Sequence, residues 1–210
     1  MSLEKNKYEI VRNAIDKGLA LFIYNYFHMQ KQVYDTCMKT RYLSPYEYIL
    51  GFYDEERPHC LHTYASYGDI AMETLLLKLQ PLLEKRTGLK LIPSYSYARI
   101  YKKGDVLQRH KDRFSCEIST TMYLGGDEWP IYLEPSGKTH MKGIKINLKA
   151  GDMLIYKGRE LEHWREEFKG NNCVQVFLHY NNIKTPGAEK NSFDTRPHLG
   201  LPPWFKGKNE

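Results

Sequence analysis

The stretch Tyr101-Lys102-Lys103-Gly104-Asp105-Val106-Leu107-Gln108-Arg109-His110-Lys111-Asp112 holds a histidine and an aspartate two residues apart. On an extended strand, residues i and i+2 leave the same face, so the His110 imidazole and the Asp112 carboxylate can reach one point. A third ligand has to come from elsewhere in the sequence. His163 is the best candidate, in Glu162-His163-Trp164-Arg165, a short loop after Gly151-Asp152-Met153-Leu154-Ile155-Tyr156. Two imidazoles and one carboxylate on one face of an octahedron leave three positions open, the arrangement of non-haem Fe(II) sites. His-x-Asp by itself is a weak pattern that arises often by chance, so the neighbouring elements decide its weight.

Those neighbours are short, strand-like and closely spaced. Leu89–Tyr101, Cys116–Leu124, Ile131–Glu134, Ile144–Leu148, Met153–Tyr156 and Cys173–Tyr180 alternate or are rich in β-branched and aromatic residues. Turn signals separate them: Lys103-Gly104-Asp105, Gly125-Gly126-Asp127, Pro135-Ser136-Gly137 and Ala150-Gly151-Asp152. Before Gly88 the texture is helical. Apolar residues recur near a helical period from Tyr8 to Tyr34, with Gly18 as a possible break. A second helix is expected from an Asp69 N-cap to Gly88, with a kink or fresh start at Pro81. Leu43 to Ser66 reads as loops and turns. The fold class is therefore mainly β with flanking α-helices, a sandwich or jelly roll. Residues 1–88 form a helical N-terminal layer, 89–183 the β core, and 184–210 a proline-rich tail that wraps the surface or is partly mobile.

Bulk properties exclude several classes. The 210 residues suffice for one sizeable core, and 41% hydrophobic with 27% charged residues argues against disorder. No stretch is long and apolar enough for a membrane span, and the polar start Met1-Ser2-Leu3-Glu4-Lys5 lacks a signal-peptide pattern, so a cytoplasmic protein without membrane attachment is expected. The net charge of +6 is mild and no compact Lys/Arg block stands out, which argues against a nucleic-acid partner. Cys37, Cys60, Cys116 and Cys173 form no CxxC pair and read as free thiols. The 17 tyrosines suit core edges and pocket walls. Nothing in these residues fixes an oligomeric state.

From Tyr97 to Tyr180 the sequence resembles the Fe(II)/2-oxoglutarate-dependent dioxygenase superfamily, and within it the prolyl-4-hydroxylase-like group. The elements come in that family's order. A strand ending Arg99-Ile100-Tyr101-x-x-Gly104 leads into His110-x-Asp112, followed by a strand ending Thr120-Thr121-Met122-Tyr123-Leu124. Ile131-Tyr132-Leu133-Glu134-Pro135 comes next, then Gly151–Tyr156 before His163, and last Val174-Gln175-Val176-Phe177-Leu178-His179-Tyr180. The resemblance implies a double-stranded β-helix core within a single oxygenase domain. It also implies His110, Asp112 and His163 as metal ligands and catalytic centre, Fe(II) as metal, 2-oxoglutarate as cosubstrate and O2 as oxidant. The expected reaction is hydroxylation of a C–H bond in a peptide, protein or small molecule, with a prolyl residue as one possibility. A carboxylate at Asp112 rather than a small residue favours hydroxylation over halogenation.

The family holds the far carboxylate of 2-oxoglutarate with a cation, usually on the strand after the distal histidine, often with a tyrosine from the strand after His-x-Asp. Tyr123 occupies the matching tyrosine position, and Tyr101 is a second pocket candidate. The cation departs from the pattern: Asn172 and Cys173 stand where Arg or Lys is expected, and Gln175 follows in the same strand phase. Arg165, two residues past His163, shares its face on an extended segment and is the preferred substitute. Lys169, Lys145, Lys157 and Arg99 are the other cations, and His179 shares a face with Cys173, Gln175 and Phe177. Two other readings stay open: a non-catalytic jelly roll that binds a metal or small acid, and a cupin-type metal enzyme that does not use 2-oxoglutarate.

Overall fold

The computed structural model describes residues 3–44, 49–53 and 63–205. The protein starts with a helical turn α1 (Leu3–Asn6), strand β1 (Tyr8–Val11) and helix α2 (Lys17–Lys39). Strands β2 (Phe52–Tyr53) and β3 (Tyr64–Tyr67) precede helix α3 (Ile70–Thr87). Then follow β4 (Leu91–Lys102), β5 (Leu107–His110), β6 (Ile118–Gly126), β7 (Ile131–Leu133), β8 (Ile144–Ile146), β9 (Met153–Lys157), β10 (His163–Arg165) and β11 (Asn172–Asn182). The large sheet has the order β1-β9-β6-β11-β4-β3-β2 and the small sheet β5-β10-β7-β8. From β4 onward the backbone passes repeatedly between the two antiparallel sheets. This is the double-stranded β-helix, a jelly roll with flanking helices.

Strand alternation builds two cores. Ala98, Ile100, Met122, Leu124, Val174, Val176 and Leu178 pack outward against Ile23 and Phe27 of α2 and Leu75, Leu76, Leu79 and Leu83 of α3. The intervening residues Tyr101, Tyr123, Cys173 and Phe177 point the other way and meet Ile131, Leu133 and Ile146 of the small sheet. The second core continues into the candidate site.

The helix boundaries follow their caps. The Asp69 side chain accepts from Met72 N at 3.0 Å, and Gly88 ends α3 in the left-handed region at φ 73°. Pro81 starts no new helix. It lies on the exposed face, where water can satisfy the carbonyl left without its helical donor.

Several expectations change. The segment from Tyr8 is not helical as far as Asp16: Tyr8–Val11 pairs antiparallel with β9, Tyr8 opposite Tyr156. Ile10 packs into the inter-sheet core and Val11 into the helix-side core, a period of two that the spacing of Ile10, Val11, Ala14 and Ile15 disguised. Gly18 does not break a helix but lies in its first turn. Asp16 caps α2 by accepting from Leu19 N at 2.9 Å, and a Cβ on Gly18 would stand 3.0 Å from that same Asp16 Oδ1. Within Leu43–Ser66, Phe52–Tyr53 and most of Tyr64–Tyr67 are strands that extend the β4 edge. Residues 45–48 and 54–62, with His59, Cys60 and His62, lie outside the described residues. Cys116 belongs to a 3-10 turn, Phe114–Cys116, ahead of β6.

The tail to Arg196 packs against the rest of the protein. Glu189–Thr195 forms a 3-10 segment, and Arg196 Nη2 pairs with Glu73 Oε1 at 2.7 Å with side chains 0% and 2% exposed. Among the described residues no helix is long and apolar enough to cross a membrane. Cys37, Cys116 and Cys173 are unpaired thiols.

Candidate metal centre and cavity

β5 and β10 pair antiparallel with His110 opposite His163, so the two imidazoles leave neighbouring strands of the small sheet side by side. Asp112 lies just past the end of β5, and its N–H donates to the Gly158 carbonyl at 2.9 Å. Asp112 Oδ1 is 3.5 Å from His110 Nε2 and 3.5 Å from His163 Nε2. The ligand atoms of the three residues all lie within 4.8 Å of one another.

The outer ring nitrogens determine what these atoms can do. His110 Nδ1 lies 2.7 Å from the Gln108 carbonyl and His163 Nδ1 lies 3.1 Å from the Leu161 carbonyl. A carbonyl only accepts, so each Nδ1 carries a proton and each Nε2 is the ring nitrogen turned toward Oδ1. The two Nε2 atoms and Oδ1 thus converge on a point where a cation is held, a proton on the rings when no metal is bound or a metal ion in its place. The donor set and tautomers fit a divalent metal of the two-histidine, one-carboxylate kind. Burial alone would raise the Asp112 carboxyl, but the two histidines outweigh it and hold the group well below the carboxylate range.

Asp112, Cys116 and His179 form another close group. Here burial pushes the Cys116 thiol up to about 12, and its Sγ is 3.1 Å from the Tyr95 hydroxyl. A thiol held neutral is a poor ligand, so the histidine pair is the better site.

The triad opens onto a cavity of about 400 Å³. Tyr67, Tyr95, Tyr97, Tyr101, Tyr156, Leu107 and Phe177 line it, with Arg99, Lys111, Arg113, Cys116 and His179. Tyr95, Tyr97, Arg99 and Tyr101 are alternate residues of β4 and share its inner face. Of the residues expected near the cosubstrate, Tyr101 reaches the cavity wall. Arg99, an outsider in the sequence, lines it as well.

Arg165, Tyr123 and Gln175 lie one layer behind. Arg165 is 1% exposed; its Nη1 donates to the Trp129 carbonyl and its Nη2 to Thr121 Oγ1 at 3.3 Å. Among the described residues no carboxylate is in ion-pair range of Arg165, and its Nε has no hydrogen-bond partner. The titratable groups nearest to it are Cys173, Tyr101 and Tyr156, all uncharged at neutral pH, and two of them line the cavity. Gln175 Oε1 accepts from Thr121 at 3.1 Å, so it acts on Arg165 through that hydroxyl. The Tyr123 hydroxyl donates to the Gly126 carbonyl at 2.5 Å, within its own turn. Lys145 is exposed on β8, and Lys157 pairs with Glu160 at 3.1 Å on the outside. Lys169 pairs with Glu167 at 2.7 Å, also outside.

Ser119, Gly158, Arg113, Tyr67, Tyr95 and Tyr97 are site residues without a sequence signal of their own. Ser119 Oγ donates to Asp112 Oδ2 at 2.7 Å. A Cβ on Gly158 would fall on Asp112 Oδ2, the Cys116 carbonyl and Ser119 Oγ.

No family model and no curated protein sequence matches the protein. Its fold does resemble solved structures. A Pseudomonas putida prolyl-4-hydroxylase aligns at 14% identity over 86% of this chain and 95% of its own, with a TM-score of 0.59. A Trichoplax adhaerens prolyl hydroxylase, in complex with a hypoxia-inducible factor oxygen-degradation-domain peptide, aligns at 14% identity over 87% and 86%, TM-score 0.58. The epimerase SnoN of nogalamycin biosynthesis, in complex with Fe3+, α-ketoglutarate and nogalamycin RO, aligns at 12% identity over 98% and 91%, TM-score 0.61. The class defined by fold and site is a double-stranded β-helix protein with a candidate two-histidine, one-carboxylate metal centre.

Proposed function

We propose that the protein is an Fe(II)- and 2-oxoglutarate-dependent dioxygenase, acting as a single oxygenase domain, that hydroxylates a C–H bond. The observation that carries this reading is the convergence of His110 Nε2, His163 Nε2 and Asp112 Oδ1, with both imidazole tautomers set by carbonyls, at the wall of a cavity. Iron with 2-oxoglutarate and O2 supplies oxidation of an unreactive C–H bond, with succinate and CO2 as coproducts. The protein supplies the rest. His110, Asp112 and His163 would hold the metal at the cavity wall. Arg165 receives the far carboxylate of the cosubstrate. A buried guanidinium without a counter-ion is costly, and an arriving carboxylate removes that cost. Tyr101 forms the wall beside it, Thr121 and Gln175 fix the guanidinium, and Tyr123 stabilises the turn after β6. The tyrosines of β4 form the wall of the cavity beside the reacting centre.

Candidate substrates are a prolyl residue of a peptide or protein, or a small molecule. The two prolyl hydroxylases compared above make prolyl peptides one class to try. The test is anaerobic addition of 2-oxoglutarate to the Fe(II)-loaded protein. A weak visible charge-transfer band is expected, absent in His110→Ala. Iron binding without the band transfers the reading to a metal enzyme that does not use 2-oxoglutarate. Failure to bind iron overturns it.

A further inference from the structure

Arg113 directly follows Asp112 and lines the same cavity. Its guanidinium is fixed by several partners. Nη1 and Nη2 donate to the two oxygens of Asp194 at 2.7 and 2.8 Å, and Nη1 donates to Ser115 Oγ at 2.6 Å. The group lies over the Tyr95 ring, 4.8 Å from its centroid. Asp194 is 4% exposed and accepts the Tyr67 hydroxyl at 2.6 Å.

The backbone that delivers Asp194 is strained. Phe193, Asp194 and Thr195 have φ values of 54°, 58° and 65°, three consecutive non-glycine residues in the left-handed region. Each costs about 1 kcal/mol or more and persists only where the surroundings dictate it. The conformation puts a buried carboxylate against the residue next to a metal ligand.

A guanidinium carries five N–H donors in a planar fork. Asp194 occupies the Nη1–Nη2 edge. Nε–H and the second Nη2–H have no partner among the described residues, while the Arg113 side chain is 52% exposed. That edge is a preorganised bidentate receptor for an oxyanion. We infer that Arg113 anchors an anionic group of the organic substrate, a carboxylate or a phosphate, while Arg165 serves the cosubstrate. Naming the ligand as substrate rests on the proposed function; the receptor itself does not need the metal. Small acids, acidic peptides and the free α-carboxylates of peptides fit this cavity better than uncharged internal prolyl segments.

The probes are benzoate, phenyl phosphate and neutral benzamide, titrated calorimetrically into protein loaded with redox-silent Mn(II) and 2-oxoglutarate. At least one anion should bind about tenfold or more tightly than benzamide, the gain of a charge-assisted hydrogen bond, without displacing 2-oxoglutarate. The tighter anion identifies carboxylate or phosphate as the class. Arg113→Gln should weaken that anion by about tenfold and leave 2-oxoglutarate affinity unchanged, with Arg165→Gln showing the reverse. Equal binding of benzamide and both anions overturns the inference, as does anion binding that survives Arg113→Gln. Loss of 2-oxoglutarate in Arg113→Gln, or its displacement by the anions, overturns it too. The comparison of the three probes on unaltered protein stands even if the variant misfolds. If Mn(II) and 2-oxoglutarate fail to bind, the proposed function fails, and the same probes on metal-free protein still decide the role of Arg113.

Discussion

Ser119 donates its hydroxyl to Asp112 Oδ2 at 2.7 Å, leaving Oδ1 to the two histidines 3.5 Å away. The same hydroxyl lies 2.9 Å from the Cys116 carbonyl and 3.1 Å from His179 Nδ1. It has one proton, and the ionised carboxylate is the stronger acceptor. His179 Nδ1–H therefore donates to the Ser119 oxygen, and two hydrogen bonds in series orient the carboxylate. Outer partners of this kind typically contribute 10- to 100-fold in metal affinity. Ser119→Ala is expected to weaken Mn(II) or Co(II) binding by about tenfold, near the lower end of that range, with the fold intact. An unchanged dissociation constant rejects the orienting role.

Gly158 provides the complementary constraint. Its carbonyl accepts the Asp112 N–H at 2.9 Å, while a methyl group on its Cα would overlap Asp112 Oδ2 and the Cys116 carbonyl. Gly158→Ala should destabilise the protein by about 1–3 kcal/mol, the usual cost of overpacking, and weaken metal binding further by displacing the carboxylate. Urea unfolding and metal titration read the two effects separately. A variant that matches the parent in both removes any need for glycine there.

The triad was legible because its geometry is local. His110 and Asp112 are two residues apart, the aspartate just past the strand end that carries the histidine, and the ordered elements around His163 singled it out among eight histidines. The residues that tune the triad were not legible, since their roles come from contacts between distant segments. Asp194 meets Arg113 across 81 positions, and His179 meets Ser119 across 60. Arg99 looked peripheral until alternation along β4 put it on one face with Tyr97 and Tyr101. The misread start of α2 has a different cause: Ile10 and Val11 serve two cores on opposite faces of a strand, and that spacing imitates a helix.

Arg165 offers a test that separates binding from folding. Without a ligand its guanidinium is buried with no carboxylate partner among the described residues, and burial lowers its pKa. Replacing an uncompensated buried charge by a neutral group relieves a cost rather than adding one. Arg165→Gln should leave the melting temperature of the ligand-free protein unchanged or raise it. The same change should weaken 2-oxoglutarate binding about 30-fold or more, as expected for losing one side of a buried charge pair. Calorimetry on the Mn(II)-loaded protein measures the second effect. If stability collapses while affinity is retained, the arginine is a core element and not the cosubstrate anchor.

His179 predicts the acid limb of stability. Burial lowers its pKa from the ordinary 6.5 to about 4, so the folded protein carries it neutral. Between those values the unfolded state binds the proton more readily than the folded one, and stability rises with pH. The contribution is complete above about pH 6.5 and is lost as pH falls toward about 4, in total on the order of 3 kcal/mol. Urea midpoints of the metal-free protein should decline across this window at constant ionic strength. In His179→Asn, which keeps a donor near Ser119 but cannot titrate, the decline should be shallower by that amount. Parallel pH profiles for the two proteins would show that His179 is protonated as easily in the fold as outside it, which its burial between Tyr95 and Ser119 does not allow.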